Sequence, residues 1–142
     1  MNIALIAHDA KHELMIEFCL AYGGVLRRHS LCATDLTGKL VSEATGMKIA
    51  RLMPRELGGD QQISSRIACG EIDLLLFFRD PNDNGARAQF EAHMLRLCDM
   101  HNIPVATNIS TAEPIIHSLS NGDLDYLTWR TEKVAQPDGL GN

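Results

Sequence analysis

The chain has 142 residues, which is enough for one domain with a sizeable core. Its apolar fraction of 45% and charged fraction of 22% are ordinary for a globular protein, and no apolar run approaches the roughly 18 residues of a membrane span. With 13 Lys and Arg against 18 Asp and Glu, the formal charge of −5 argues against nucleic acid as a partner, although a local pocket of arginines and backbone N–H groups can still hold a small anion.

In chain order, Asn2–Ala7 is a short apolar run closed by His8-Asp9, which predicts a strand and not a signal segment. Helical spacing over residues 11–22 puts Met15, Phe18 and Cys19 on one face, with Gly23-Gly24 as the expected stop. A strand at Ser30–Ala33 leads into the loop Thr34-Asp35-Leu36-Thr37-Gly38. A short helix over 39–44 and a strand over 47–52 follow. After Gly58-Gly59-Asp60 the spacing predicts a helix to Cys69, closed by Gly70. The continuous apolar run at 73–78 is expected of a central parallel strand covered on both faces. A polar loop at 79–85 precedes a helix over 89–101, with Phe90, Met94, Leu97 and Cys98 at helical spacing. A last strand at 104–107 and a helix over 111–119 complete the pattern.

Five strands alternating with helices predict a doubly wound α/β fold of flavodoxin-like architecture, with a mostly parallel five-stranded sheet sandwiched by helices. Residues 1–130 are expected as one domain, with Trp129 packing the C-terminal segment and 131–142 as a frayed tail. The cysteines Cys19, Cys32, Cys69 and Cys98 are scattered without a C-x-x-C pair, as in a reduced cytoplasmic protein. His8 and His12 divide between a strand end and the next helix, so no metal site is expected.

In an open parallel sheet a ligand binds beyond the carboxyl ends of the strands, at the point where strand order reverses. Those ends carry His8 and Asp9, the 34–38 loop, the segment 54–60, Asp80, and Thr107-Asn108. The most informative is Leu57-Gly58-Gly59-Asp60-Gln61-Gln62: two glycines allow a close backbone approach, and the acid after them sits at a loop–helix junction. Asp60 there reads either as a helix cap or as a general base.

Together with Ile3-Ala4-Leu5-Ile6-Ala7-His8-Asp9, Glu43-Ala44-Thr45-Gly46, Phe78-Arg79-Asp80-Pro81 and Ile103-Pro104-Val105-Ala106-Thr107-Asn108, that stretch resembles the methylglyoxal synthase family. The order and spacing hold from Asn2 to about Glu113. The resemblance implies a homohexamer that converts dihydroxyacetone phosphate to methylglyoxal and inorganic phosphate without a cofactor. It implies Asp60 as the base, with His8, Asp9 and Asp80 in the same catalytic pocket. It implies a binding site for the small phosphorylated substrate and for phosphate, formed by Thr34, Thr37 and Gly38, by the segment before the glycines, and by Gly59.

Several positions depart from the family pattern. The family loop Thr-Gly-Thr-Thr-Gly is here Thr34-Asp35-Leu36-Thr37-Gly38, and Ser-Gly-Pro before the glycines is Pro54-Arg55-Glu56. A helix-one lysine aligns with His12. A ketone-polarising histidine and an acid three residues later align with Arg87 and Phe90. Two readings follow. In one, Arg55 and Arg87 take over phosphate binding and the enzyme is retained. In the other, the chain is a non-catalytic phosphorylated-ligand-binding or regulatory member of the fold. A phosphoacceptor domain or a flavin protein fits less well, because Thr107-Asn108 and His8-Asp9-Ala10 stand where those need a lysine and a hydroxyl-rich loop.

Overall fold

The computed structural model describes residues 1–83 and 85–128; Trp129 and the expected boundary at 130 lie outside them. Five strands form one parallel sheet: β1 (Asn2–Ala7), β2 (Ser30–Ala33), β3 (Ile49–Arg51), β4 (Leu74–Phe78) and β5 (Val105–Ala106). Their order is β3-β2-β1-β4-β5, so the direction of winding reverses between β1 and β4. The helices are α1 (His12–Ala21), α2 (Gly23–Leu26), α3 (Asp35–Thr45), α4 (Gly59–Ala68), α5 (Ala88–Met100) and α6 (Ile109–Ser120). The fold is the doubly wound α/β sandwich expected of the residue pattern.

The period-2 geometry of a strand sends alternate side chains to opposite faces. Ile3 and Leu5 of β1 and Leu74, Leu76 and Phe78 of β4 pack against Met15 and Phe18 of α1, Val41 of α3 and Ile116 of α6. Ala4 and Ile6, with Leu75 and Phe77, face Ile63 and Ile67 of α4 and Met94 and Cys98 of α5. β4 is buried along its whole length because helices cover both of its faces.

Three elements differ from the sequence expectation. Gly23-Gly24 does not end the helical region; the chain turns at Tyr22 and α2 begins on the glycines. The 34–38 segment is not a loop but the first turn of α3, with Thr34 at the cap position and the Gly38 N–H donating to the Thr34 carbonyl at 2.9 Å. β3 is three residues long, pairing with β2 on one side only.

Candidate active site

The carboxyl ends of β1 and β4 adjoin at the reversal of strand order. His8 follows β1 directly, 3% exposed, and its ring stands edge-on to Phe77 at 5.4 Å. The Asp80 backbone N–H donates to His8 Nδ1 at 2.8 Å. That nitrogen must therefore be unprotonated, which puts the ring hydrogen on Nε2. Nε2 in turn donates to Glu91 Oε2 at 2.8 Å. The ring N–H that could serve a developing enediolate oxygen is thus directed at a carboxylate of α5.

Asp60 is the second residue of α4 and is 1% exposed. The local chain explains its placement. A short 3-10 turn, Arg55–Leu57, ends at Gly58 with φ +110, a backbone region open to glycine. Gly59 then passes so close to the preceding segment that a Cβ would lie 2.3 Å from the Met53 carbonyl oxygen. Both glycines are needed to turn the chain inward and bring Asp60 under Arg55. Arg55 grips Asp60 with two parallel bonds, Nε to Oδ1 at 2.9 Å and Nη2 to Oδ2 at 3.0 Å. Nη2 also bonds Glu91 Oε2. Arg79 approaches the other Glu91 oxygen at 3.8 Å.

Glu91 is the residue that sequence reasoning missed. It is 5% exposed, whereas Phe90, the position aligned with the second family acid, is 38% exposed. A signal was present: Glu91 precedes Met94 by three residues and Cys98 by seven, which places an acid on the buried stripe of α5. Burial pushes the Glu91 carboxyl up, but hydrogen bonds from Arg55 and His8 outweigh this and hold its pKa below the usual value. Arg55 loses by burial and gains more from Asp60 and Glu91, so its pKa is raised.

Beside this cluster lies a cavity of about 380 Å³ lined by Ala7, Asp9, His12, Thr34, Asp35, Leu36, Thr37, Pro54, Arg55, Glu56 and Arg87. Among the described residues, two buried side-chain polar atoms lack a hydrogen-bond partner, Thr34 Oγ1 and Arg87 Nε, and both belong to residues of this wall. Orphaned buried polar groups are costly, and the presence of both residues in one cavity wall suits a polar ligand. The α3 N-terminus, where the Asp35 N–H donates to the Met53 carbonyl, adds a favourable dipole for an anion.

His12 Nε2 and the Thr37 hydroxyl are 3.0 Å apart. Burial lowers the His12 pKa; Asp9 raises it and Arg55 lowers it further. Asp35 carries its negative charge to the cavity wall, but Arg51 ties it, through Nη2 at 2.8 Å and Nε at 3.0 Å.

The sequence candidates therefore separate into groups. His8, Asp60 and Arg55 form one buried network, completed by Glu91. Asp9, His12, Thr34, Thr37, Arg55 and Arg87 line the cavity. Asp80 contributes its backbone N–H to His8, and its side chain accepts from the Asn82 N–H at 3.0 Å. Gly38 and Gly59 are not part of the wall, and their N–H groups donate to backbone carbonyls. Asn108 caps α6 by accepting from the Thr111 N–H at 3.1 Å. No group of three or more His, Cys, Asp or Glu among the described residues is arranged for a metal ion, and no described helix is long and apolar enough to cross a membrane.

A doubly wound parallel α/β sheet with a polar cavity at the carboxyl ends of its strands is the class that fold and site define. The protein-family model described as MGS-like domain matches residues 15–107. The chain is 53% identical over 126 residues to the methylglyoxal synthase of Caldicellulosiruptor saccharolyticus, covering 89% of each chain. It is 50% identical over 140 residues to the methylglyoxal synthase of Oceanobacillus iheyensis, covering 96% of this chain and all of the relative. The crystal structure of methylglyoxal synthase from Elizabethkingia anophelis NUHP1 matches with a TM-score of 0.74 at 39% identity, over 81% of this chain and 76% of that one. The chain belongs to the methylglyoxal synthase family of MGS-like domains.

Proposed function

We propose that the protein is a lyase that converts dihydroxyacetone phosphate to methylglyoxal and inorganic phosphate. The observation that carries this reading is that one cavity wall holds Thr34 and Arg87, each with an unpartnered buried polar atom, together with Arg55, which covers Asp60.

The phosphate group sits among the Thr34 and Thr37 hydroxyls, the α3 N-terminus and the Arg55 and Arg87 side chains. Asp60 takes a proton from the hydroxymethyl carbon, and the C–H electron pair moves into an enediolate. As the hydroxyl on the deprotonated carbon gives up its proton and becomes the aldehyde, the C–O bond at the far carbon breaks, phosphate leaves with the pair of that bond and takes the proton, and the remaining enolate gains a proton at carbon, returned by Asp60, to become methylglyoxal. A positioned base is worth on the order of 10²–10⁴ in rate, and charge-matched donors for the leaving phosphate supply a further share. His8 joins the base through Glu91 and Arg55, the Asp80 N–H fixes the His8 tautomer, and Asp9 stands on the cavity wall.

No step calls for a cofactor. On this reading the protein works in the cytoplasm as a homo-oligomer, a hexamer by resemblance, and its product phosphate occupies the same cavity. The test is phosphate release from dihydroxyacetone phosphate. Wild type should be active, and Asp60→Asn should lose on the order of 10²–10⁴ in kcat. Equal inactivity of both, with phosphate still bound, would replace the lyase with a phosphate-binding protein.

A further inference from the structure

Asp60 can act as a base only if one of its oxygens touches the carbon acid, at about 3–3.5 Å. The structure does not permit this as it stands. Asp60 is 1% exposed, both of its oxygens receive Arg55 donors, and the cavity wall contains Arg55 but not Asp60. If the lyase reading holds, on which this inference rests, Arg55 must move before chemistry. We propose that Arg55 is a latch released by the substrate's own phosphate group: it covers Asp60 while no anion is bound and passes to the anion when one binds, with Glu91 as the pivot that keeps the guanidinium at the site.

Three observations support this transfer. The first is the supply of cations. Arg55 and Arg87 are the arginines of the cavity wall, while His12, which stands where a permanent cation would serve an anion, is held towards its neutral form by burial. A phosphate dianion therefore has few competing partners. It presents the same bidentate edge as a carboxylate but with more charge.

The second is the geometry of the guanidinium. Arg55 bonds through Nε and Nη2, and Nη1 has no hydrogen-bond partner among the described residues. An incoming anion can engage Nη1 before either bond to Asp60 breaks.

The third is Glu91. Nη2 is shared between Asp60 and Glu91, so release from Asp60 leaves the arginine paired and avoids an unpaired buried cation. What remains is a buried carboxylate stripped of its counter-ion. Such a group gains by taking up a proton, as the reaction requires. Arg55 and Glu91 are thus positioning residues, and the phosphate selects the substrate by unmasking the base.

The test uses dihydroxyacetone, which lacks the phosphate, with inorganic phosphite as a separate anion. Deuterium uptake at its carbon from D2O is followed by NMR. In wild type, phosphite should raise the exchange rate about ten-fold or more, as expected when a charge-assisted pair is displaced. In Arg55→Ala, exchange should proceed without phosphite and no longer respond to it; Arg55→Lys, which keeps the charge without the fork, should respond weakly. Equal stimulation of wild type and Arg55→Ala, or none in wild type, overturns the latch.

Crystals of wild type with and without inorganic phosphate give a readout independent of turnover and of variant folding. Arg55 should leave Asp60 and keep Glu91 when phosphate is present. Phosphate seated with both Arg55–Asp60 bonds intact, or no phosphate in the cavity, rejects the proposal. Phosphate release from dihydroxyacetone phosphate without any Arg55 movement would sink the latch and leave the lyase. Arg55 movement without that release would do the opposite.

Discussion

Glu91 Oε2 accepts the ring proton of His8 at 2.8 Å, joining two residues that lie 83 positions apart in the chain. The same oxygen receives Arg55, so one carboxylate of α5 ties the end of β1 to the turn that precedes α4. Replacing Glu91 with Leu leaves the His8 ring N–H buried without an acceptor, while Arg55 keeps its two bonds to Asp60. A loss of about 1–3 kcal/mol in urea-derived stability is expected. Glu91→Gln should cost less, because it still accepts from one donor. The Glu91 pKa is depressed in the folded protein, so its contribution is present above the unfolded value of 4.5 and is lost as pH falls through the lower folded value. The stability gap between wild type and Glu91→Gln should therefore narrow in acid below that point. A gap independent of pH would mean that Glu91 is not held ionised by Arg55 and His8.

On the proposed function, His12 is expected to make phosphate affinity depend on pH. Its folded pKa is lowered from 6.5 chiefly by burial, so near neutral pH it is uncharged, and protonation is favoured once a dianion lies beside it. Proton uptake should accompany binding, and affinity should rise as pH falls towards that depressed value. Because phosphate itself titrates nearby, the informative quantity is the ratio of wild type to His12→Gln in calorimetric titrations with inorganic phosphate. That ratio should grow as pH falls, while His12→Lys should bind more tightly than wild type at pH about 8. In the unliganded protein the sign is opposite: the depressed pKa makes His12 protonation oppose folding, and that cost grows as pH drops below the unfolded value of 6.5 and is complete below the lower folded value.

Thr34 separates ligand binding from stability. Its hydroxyl is buried, bonds to nothing in the protein and does not cap α3, so Thr34→Val removes an unsatisfied group and keeps the shape. Stability should stay within about 1 kcal/mol or increase, while phosphate affinity should fall about ten-fold. If both stay unchanged, the hydroxyl does not meet the ligand.

Gly59→Ala tests the approach of the chain that buries Asp60. The added methyl would lie 2.3 Å from Met53 O and 3.1 Å from Pro54, both backbone atoms that cannot swing aside. A destabilisation of about 1–3 kcal/mol or more is expected in thermal or urea unfolding, with phosphate release reduced beyond the loss of folded protein. A neutral outcome would show that the Met53–Pro54 segment can yield.

Much of this molecule can be read along the chain because it depends on local periodicity. The apolar run ending in Phe77-Phe78 can only be a doubly covered strand, and Met15, Phe18 and Cys19 repeat at the spacing of one helix face. Gly58-Gly59-Asp60 was informative for the same reason: two adjacent glycines before an acid constrain the backbone whatever surrounds them. The 34–38 segment misled, since a threonine and a glycine suggest a loop, yet the sequence propagates α3 from Asp35 once β2 and Met53 hold its entry. The partner of Asp35 is not legible in the chain either, because Arg51, its counter-ion, belongs to the next strand.

What the amino-acid order determined alone was the alternation of strands and helices, the polar strand ends and the turn carrying Asp60, since each depends on residues within a few positions of one another. Only the tertiary structure decided which charges meet. Arg55 reaches Glu91 across 36 positions, and His8 reaches it across 83, giving a buried network whose energetics depend on distance in space and exclusion of water. Coulombic pairing acts through space, so no pattern along the chain could show that Glu91 of α5 joins Arg55 to His8.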